Sequence, residues 1–123
     1  ISFERTQQQT EARKSIAVAQ VLTNLPELQC SVGAVERGIC FDYYKLEVAE
    51  ESINDEWLYY YGMFGYSDIE VKDLSGSGKN FTLYENQGDK TSYTTGFIPI
   101  SIYDPIERLF SFGVIEVKSY YGQ

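Results

Sequence analysis

Carboxylates are the most numerous groups in this 123-residue chain that could do chemistry. There are 18 Asp and Glu against 10 Lys and Arg, for a formal net charge of −8. Two carboxylates can act as general acid and base when separate elements hold them across a cleft. The adjacent pairs Glu50–Glu51 and Asp55–Glu56 instead sit side by side on predicted helices, which makes them solvated faces. The chain contains no His. The commonest general base is therefore absent, and neither a Ser–His–Asp triad nor a Cys–His pair can form. A small hydrolase using two carboxylates is the weakest reading. The chain is expected not to be an enzyme, with no catalytic residue, no metal ligand and no cofactor assigned.

Gly76-Ser77-Gly78-Lys79 resembles a phosphate loop only in part. The first glycine of that pattern would stand near 73, beside Leu74, and a Ser or Thr should follow the lysine where Asn80 stands. The segment also lies between two predicted strands, so it reads as a turn. Asn86 and Asp89 could contribute to a Ca²⁺ site, but the D-x-[DN]-x-[DN]-G spacing is missing. The acidic balance argues against nucleic acid, whose phosphates call for a basic patch.

Two cysteines, Cys30 and Cys40, can pair or stay free. Without His they are too few for zinc, and their spacing is not C-x-x-C. A disulfide closing a short loop is expected, with two buried free thiols as the alternative. Such a link would stabilise the fold by roughly 2–3 kcal/mol and would place the chain in an oxidising compartment. Asn80-Phe81-Thr82 is an N-x-[ST] sequon beside a turn, so Asn80 is a candidate for glycosylation. Tyr59-Tyr60-Tyr61 and Tyr120-Tyr121 are either exposed binding material or amphipathic packing with the hydroxyls at the surface. On a helix, at least one of the first three should be exposed.

These groups need elements to hold them. The chain is long enough for one core, and a Tyr- and β-branched-rich composition suits half-exposed sheets. A helix is predicted from Phe3 to Leu25. Its first half is polar on every face. Its second half carries Val18, Val21, Leu22 and Leu25 on one stripe. The second half should dock on a head, and residues 1–14 should project. The alternative is an ordinary helix with a solvated first turn. Pro26 ends the helix near Asn24. Residues 26–41 are predicted as an irregular loop with turns at Gly33 and Gly38. Asp42 can cap a helix from Tyr43 to Glu50. Asn54 can cap a third helix, with an Ile53–Leu58 staple and stops at Gly62 and Gly65; Trp57, Leu58, Tyr61 and Phe64 are its expected core residues.

From Tyr66 the hydrophobic period becomes two. Ile69 and Val71 mark one strand, and Phe81 and Leu83 a second. Ser92 to Tyr103 forms a third, with Ile98, Ile100 and Ile102 on one face, and Leu109 to Tyr121 a fourth. Turns are predicted at 75–79, at 86–90 and from Asp104-Pro105. Pro99 inside the third strand requires an edge, a bulge or an N–H site facing away from the neighbour. Short turns between four strands predict an antiparallel meander, and helices followed by strands give the class α+β. The expected architecture is a long N-terminal helix plus two short helices packed on a four-stranded antiparallel β-meander.

That combination resembles the archaeal type IV pilin-like (class III signal peptide) surface proteins. The segments that carry the likeness are Glu11–Ala17, Phe41–Leu46, Gly65–Val71, Ile98–Asp104 and Gly113–Val117. The resemblance implies a single pilin-like domain over residues 1–123, with 15–123 as its head. It implies an extracellular or cell-surface structural role, membrane-anchored or polymerised through an upstream apolar helix that these 123 residues do not contain. The partners would be further copies or other surface proteins. Ala12, Ile16 and Ala19, roughly opposite Val18, form a minor stripe expected to be the assembly face. The competing reading is a secreted binding or inhibitor module with a cystatin-like helix-on-sheet fold, although the Q-x-V-x-G hairpin of that family is absent.

Overall fold

The computed structural model describes residues 3–30 and 39–122. The turns expected at Gly33 and Gly38 lie outside these residues, as do the side chains of Ala12, Ile53, Asn54 and Trp57. Three helices, α1 (Phe3–Thr23), α2 (Tyr43–Asp55) and α3 (Trp57–Phe64), accompany five strands, β1 (Cys40–Asp42), β2 (Ser67–Asp73), β3 (Asn80–Glu85), β4 (Ser92–Asp104) and β5 (Leu109–Tyr121).

Asn24 N and Leu25 N donate to Val21 O and Leu22 O, which tightens the last turn of α1 ahead of Pro26. Thr23 Oγ1 and Asn24 Nδ2 both reach Gln20 O, satisfying a carbonyl that the helix leaves without a partner. The buried face of α1 is rotated from the expected stripe. Ser15, Ala19, Leu22 and Leu25 are buried, whereas Val21 is 39% exposed and Val18 only flanks the core. The reason is close approach. A Cβ added at Gly96 on β4 would lie 3.0 Å from Ser15 Cβ and 3.1 Å from Ile16 Cδ1. The small side chain at Ser15 lets the helix sit directly on that glycine, and a larger one would hold it off. Among the described side chains upstream, Gln9, Thr10, Arg13 and Lys14 are exposed.

Asp42 caps α2 as its type predicts, with Oδ1 accepting from Tyr44 N at 2.9 Å and Lys45 N at 3.1 Å. The helix then runs past Glu50 to Asp55, so Asn54 is not the cap of α3. The break falls at Glu56, whose carbonyl accepts from Tyr59 N and Tyr60 N. Gly65, at φ 62°, ends α3 by donating to Tyr61 O. Gly62 lies within α3 and does not stop it.

The four-stranded meander is not the fold. The sheet has five strands in the order β1-β4-β5-β2-β3, and it is mixed, because β1 runs parallel to β4. The positions of β2 to β5 agree with the periodicity, but their neighbours do not follow chain order. β4 and β5 pair antiparallel along their full length, from Ser92↔Tyr121 to Asp104↔Leu109. β5 then pairs with β2, which pairs with β3. Residues 86–91 are therefore a crossover from one side of the sheet to the other, not a hairpin turn. The crossover is tight at Gly88, where φ is +61° and an added Cβ would fall 2.6 Å from the Tyr66 ring.

β1 is the strand that the irregular loop concealed. The Cys30–Cys40 disulfide, Cα to Cα 5.5 Å, ties it to Cys30 within the α1–β1 connection. Cys30 N donates to Cys40 O and Asp42 N to Leu28 O in the same place. Ser101 N donates to Ile39 O, so the Pro99 nitrogen, two residues earlier, faces the same edge and not β5. That satisfies the restriction on proline within a strand. All three helices lie on one face of the sheet. The core between them includes Leu22, Leu28, Phe41, Leu46, Ile69, Phe81, Ile102, Ile115 and Val117.

Candidate functional site

Strand alternation sorts β4 and β5 into two faces. Gly96, Ile100 and Ile102 of β4, with Gly113, Ile115, Val117 and Ser119 of β5, are buried on the helix side. The opposite phase carries Tyr93, Phe97, Pro99, Ser101 and Tyr103 on β4, and Phe110, Phe112, Val114, Glu116, Lys118 and Tyr120 on β5. These residues face each other in register, as Tyr93↔Tyr120, Phe97↔Glu116, Pro99↔Val114, Ser101↔Phe112 and Tyr103↔Phe110. Among the described residues no helix or strand covers this outer face. Phe97 is 56% exposed, Phe112 66% and Tyr93 54%.

The rings on this face are organised. Tyr103 and Phe110 are tilted together at 4.6 Å between centroids, and Tyr93 and Tyr120 meet edge to face at 5.8 Å. Lys118 Nζ lies 5.2 Å from the centre of the Tyr93 ring. Tyr120 OH donates to Asp68 on β2. Burial, together with that hydrogen bond and the carboxylate's charge, pushes the Tyr120 phenol well above its usual range. Tyr120 is therefore a fixed, neutral donor at neutral pH.

Towards β2 the face turns charged. Lys72 Nζ lies 3.2 Å from Glu116 Oε1 and 3.7 Å from Glu70 Oε1. The hydrogen bond and charge of Glu116 raise the Lys72 pKa above its ordinary value. The outer face is thus mainly apolar along β4 and the 110–114 part of β5, and carries both signs of charge from Glu116 and Lys118 of β5 across to β2.

Two clefts include residues of this face, Tyr120 in one and Phe110 in the other. One, of about 440 Å³, opens between α1 and α3 and is lined by Val18, Val21, Met63, Tyr66 and Tyr120 among others. The second, about 470 Å³, lies by the β4–β5 turn between Tyr44, Asp73, Glu107 and Phe110. Asp73 is its buried carboxylate, and the 74–79 turn uses it. Oδ1 accepts from Gly76 N, and Oδ2 accepts from both Ser77 N and Ser77 Oγ. Burial alone would push its pKa up, but hydrogen bonds from Gly76, Ser77 and Ser111 outweigh burial and hold it below the usual value. This carboxylate anchors a turn.

The residues singled out from the sequence fall in different places. Cys30 and Cys40 are joined. Asn80 opens β3 and is exposed. Ala19 is fully buried in the core, and Ile16 is 39% exposed with its tip against β4 near Gly96. The two therefore do not share one open stripe. Tyr59 is exposed, Tyr60 is buried with its hydroxyl on Glu27 Oε2 at 2.9 Å, and Tyr61 is half-buried. Asn86 is engaged by Ser67 O, Asp68 and Tyr84 OH at the start of the crossover. The outer aromatic face was not singled out from the sequence. Its signal was present, because Phe97, Pro99 and Tyr103 on β4 and Phe110, Phe112 and Val114 on β5 add a second, largely apolar phase to the buried one.

No family model matches this chain, and no curated protein or solved structure matches it either.

Proposed function

We propose that this chain is a non-enzymatic assembly domain of the cell surface, and that it joins further copies of itself through the outer face of the β4–β5 hairpin. The observation that carries the reading is the exposure of Phe97, Phe112 and Tyr93 on one sheet face that none of the described helices or strands covers. Contiguous exposed apolar surface of this kind marks interaction sites. A second copy is the fitting occupant because the face is self-complementary. Two faces stacked about a two-fold axis bring apolar half to apolar half, and oppositely charged groups are available at the border in Lys72, Glu70 and Glu116.

The area sets the strength. Two strands of 13 residues each present a strip roughly 40 Å by 10 Å, about 400 Å² per copy. That is about half of what a stable isolated pair buries on each side. Such a contact is weak singly and strong where copies are repeated or held close together. Assembly at a surface provides both conditions. The Cys30–Cys40 disulfide supports an oxidising compartment. The role implied by the pilin-like resemblance is kept in this reading, and the meander is not. Among the described residues no helix is long and apolar enough to cross a membrane. The experiment is concentration-dependent sedimentation of the wild-type chain against Phe97→Ser and Phe112→Ser.

A further inference from the structure

Asn80, Phe81 and Thr82 form the one N-x-[ST] sequence in the chain. They are also the first three residues of β3, which pairs only with β2 and so forms an edge of the sheet. Phe81 is fully buried and points inward. Alternation then places Asn80 and Thr82 together on the outer face, the amide and the hydroxyl two residues apart on one side. Asn80 is exposed, and Thr82 is partly so. Among the described residues neither the Asn80 amide nor the Thr82 hydroxyl has a hydrogen-bond partner; the bond at Thr82 is made by its backbone N–H, to Glu50 Oε2.

We infer that Asn80 carries an N-linked glycan, which rests on the surface location proposed above. The co-reactant is an oligosaccharide linked through its C1 to a lipid phosphate, supplied with a membrane-bound transferase. Asn80 Nδ2 attacks that C1 and forms the N–C bond. The C1–O bond to the phosphate breaks, the lipid phosphate leaves with the electron pair, and the amide gives up one proton. Nothing is oxidised or reduced. Once attached, the glycan stands on the polar half of the outer face, opposite Lys72. Two strand spacings, about 10 Å, separate β3 from β5. The glycan therefore borders the aromatic strip without covering it, and it adds hydrophilic bulk beside the β3 edge.

The test is intact-mass and peptide mass spectrometry of the chain isolated from its own cells, alongside Asn80→Gln and Thr82→Ala expressed there. The wild-type chain should carry a sugar mass on the peptide containing Asn80. Asn80→Gln should lose all of it, and Thr82→Ala should lose it with the asparagine still present. Circular dichroism of each variant reports that it has folded. An Asn80 peptide at its unmodified mass overturns the inference. The same spectra separate this from failure of the surface reading. If Cys30 and Cys40 are linked and Asn80 is bare, only the glycan falls. If the cysteines are free and Asn80 is bare, the surface location falls with it.

Discussion

Glu50 Oε2, on α2, accepts the backbone N–H of Thr82, on β3, at 2.8 Å. Three residues earlier, Glu47 meets Lys79 Nζ at 3.2 Å. Helix α2 therefore closes the β3 edge with its side chains. An open edge is a template for pairing with another chain, and natural proteins block such edges. Glu50→Ala should cost about 1 kcal/mol of stability in urea unfolding and speed aggregation measured by light scattering. Glu50→Gln retains an acceptor and should restore most of both. Equal aggregation of the two variants would show that the contact does not guard the edge.

Gly88 should tolerate no side chain. Its φ of +61° is unfavourable for other residues, and an added Cβ would meet the Tyr66 ring. Gly88→Ala should lower stability by about 2 kcal/mol, with the backbone and the clash both contributing. Combining it with Tyr66→Ala should recover the clash portion, so that the two changes together cost less than their sum. Strict additivity in a double-mutant cycle would contradict the packing described at the crossover.

The crossover also shows what the sequence could convey. Strands β2 to β5 were legible from their alternation, and Asp42 as a cap from its type. The Gly88-Asp89 region was legible as a bend. Turn residues state where the chain bends, but not beside which strand it returns. The sequence therefore implied a meander, while β5 in fact inserts between β4 and β2. β1 was hidden because three residues, Cys40 to Asp42, show no period. The α1 stripe was misjudged because its burial follows small side chains. Ser15 is buried against Gly96, a partner far along the chain that periodicity within the helix cannot reveal. The outer face is harder to see in the sequence because Ile98, Ile100 and Ile102 already supply an apolar phase, and Phe97, Pro99 and Tyr103 form a second beside it.

Asp73 should make stability pH-dependent. Its folded pKa is depressed, so its contribution is complete above the unfolded carboxylate value of about 3.9. The contribution is lost as pH falls through the lower folded value. Unfolding free energy should decline below about pH 4, and Asp73→Asn should flatten that decline. Asp73→Ala leaves several turn donors without their acceptor and should cost about 1–3 kcal/mol at neutral pH. An unchanged acid limb in Asp73→Asn would remove the turn carboxylate from the account.

The disulfide should matter more to the β1 edge than to the rest of the sheet. Cys30→Ser with Cys40→Ser should lower stability by roughly 2–3 kcal/mol. In hydrogen exchange, Asp42 N and Ser101 N should lose protection before Ile115 and Val117, which lie in the centre of the sheet. Uniform loss of protection would mean that the link stabilises the fold globally.

Self-association through the β4–β5 outer face is the central claim, and sedimentation of the full chain over a range of concentrations tests it most directly. The wild-type chain should associate reversibly with a dissociation constant on the order of 0.1–1 mM, as a strip of this size allows. Phe97→Ser and Phe112→Ser should each weaken association at least tenfold while their circular dichroism and thermal unfolding remain those of the wild type. A wild-type chain that stays monomeric throughout that range, or folded variants that associate as well as the wild type, would contradict the claim.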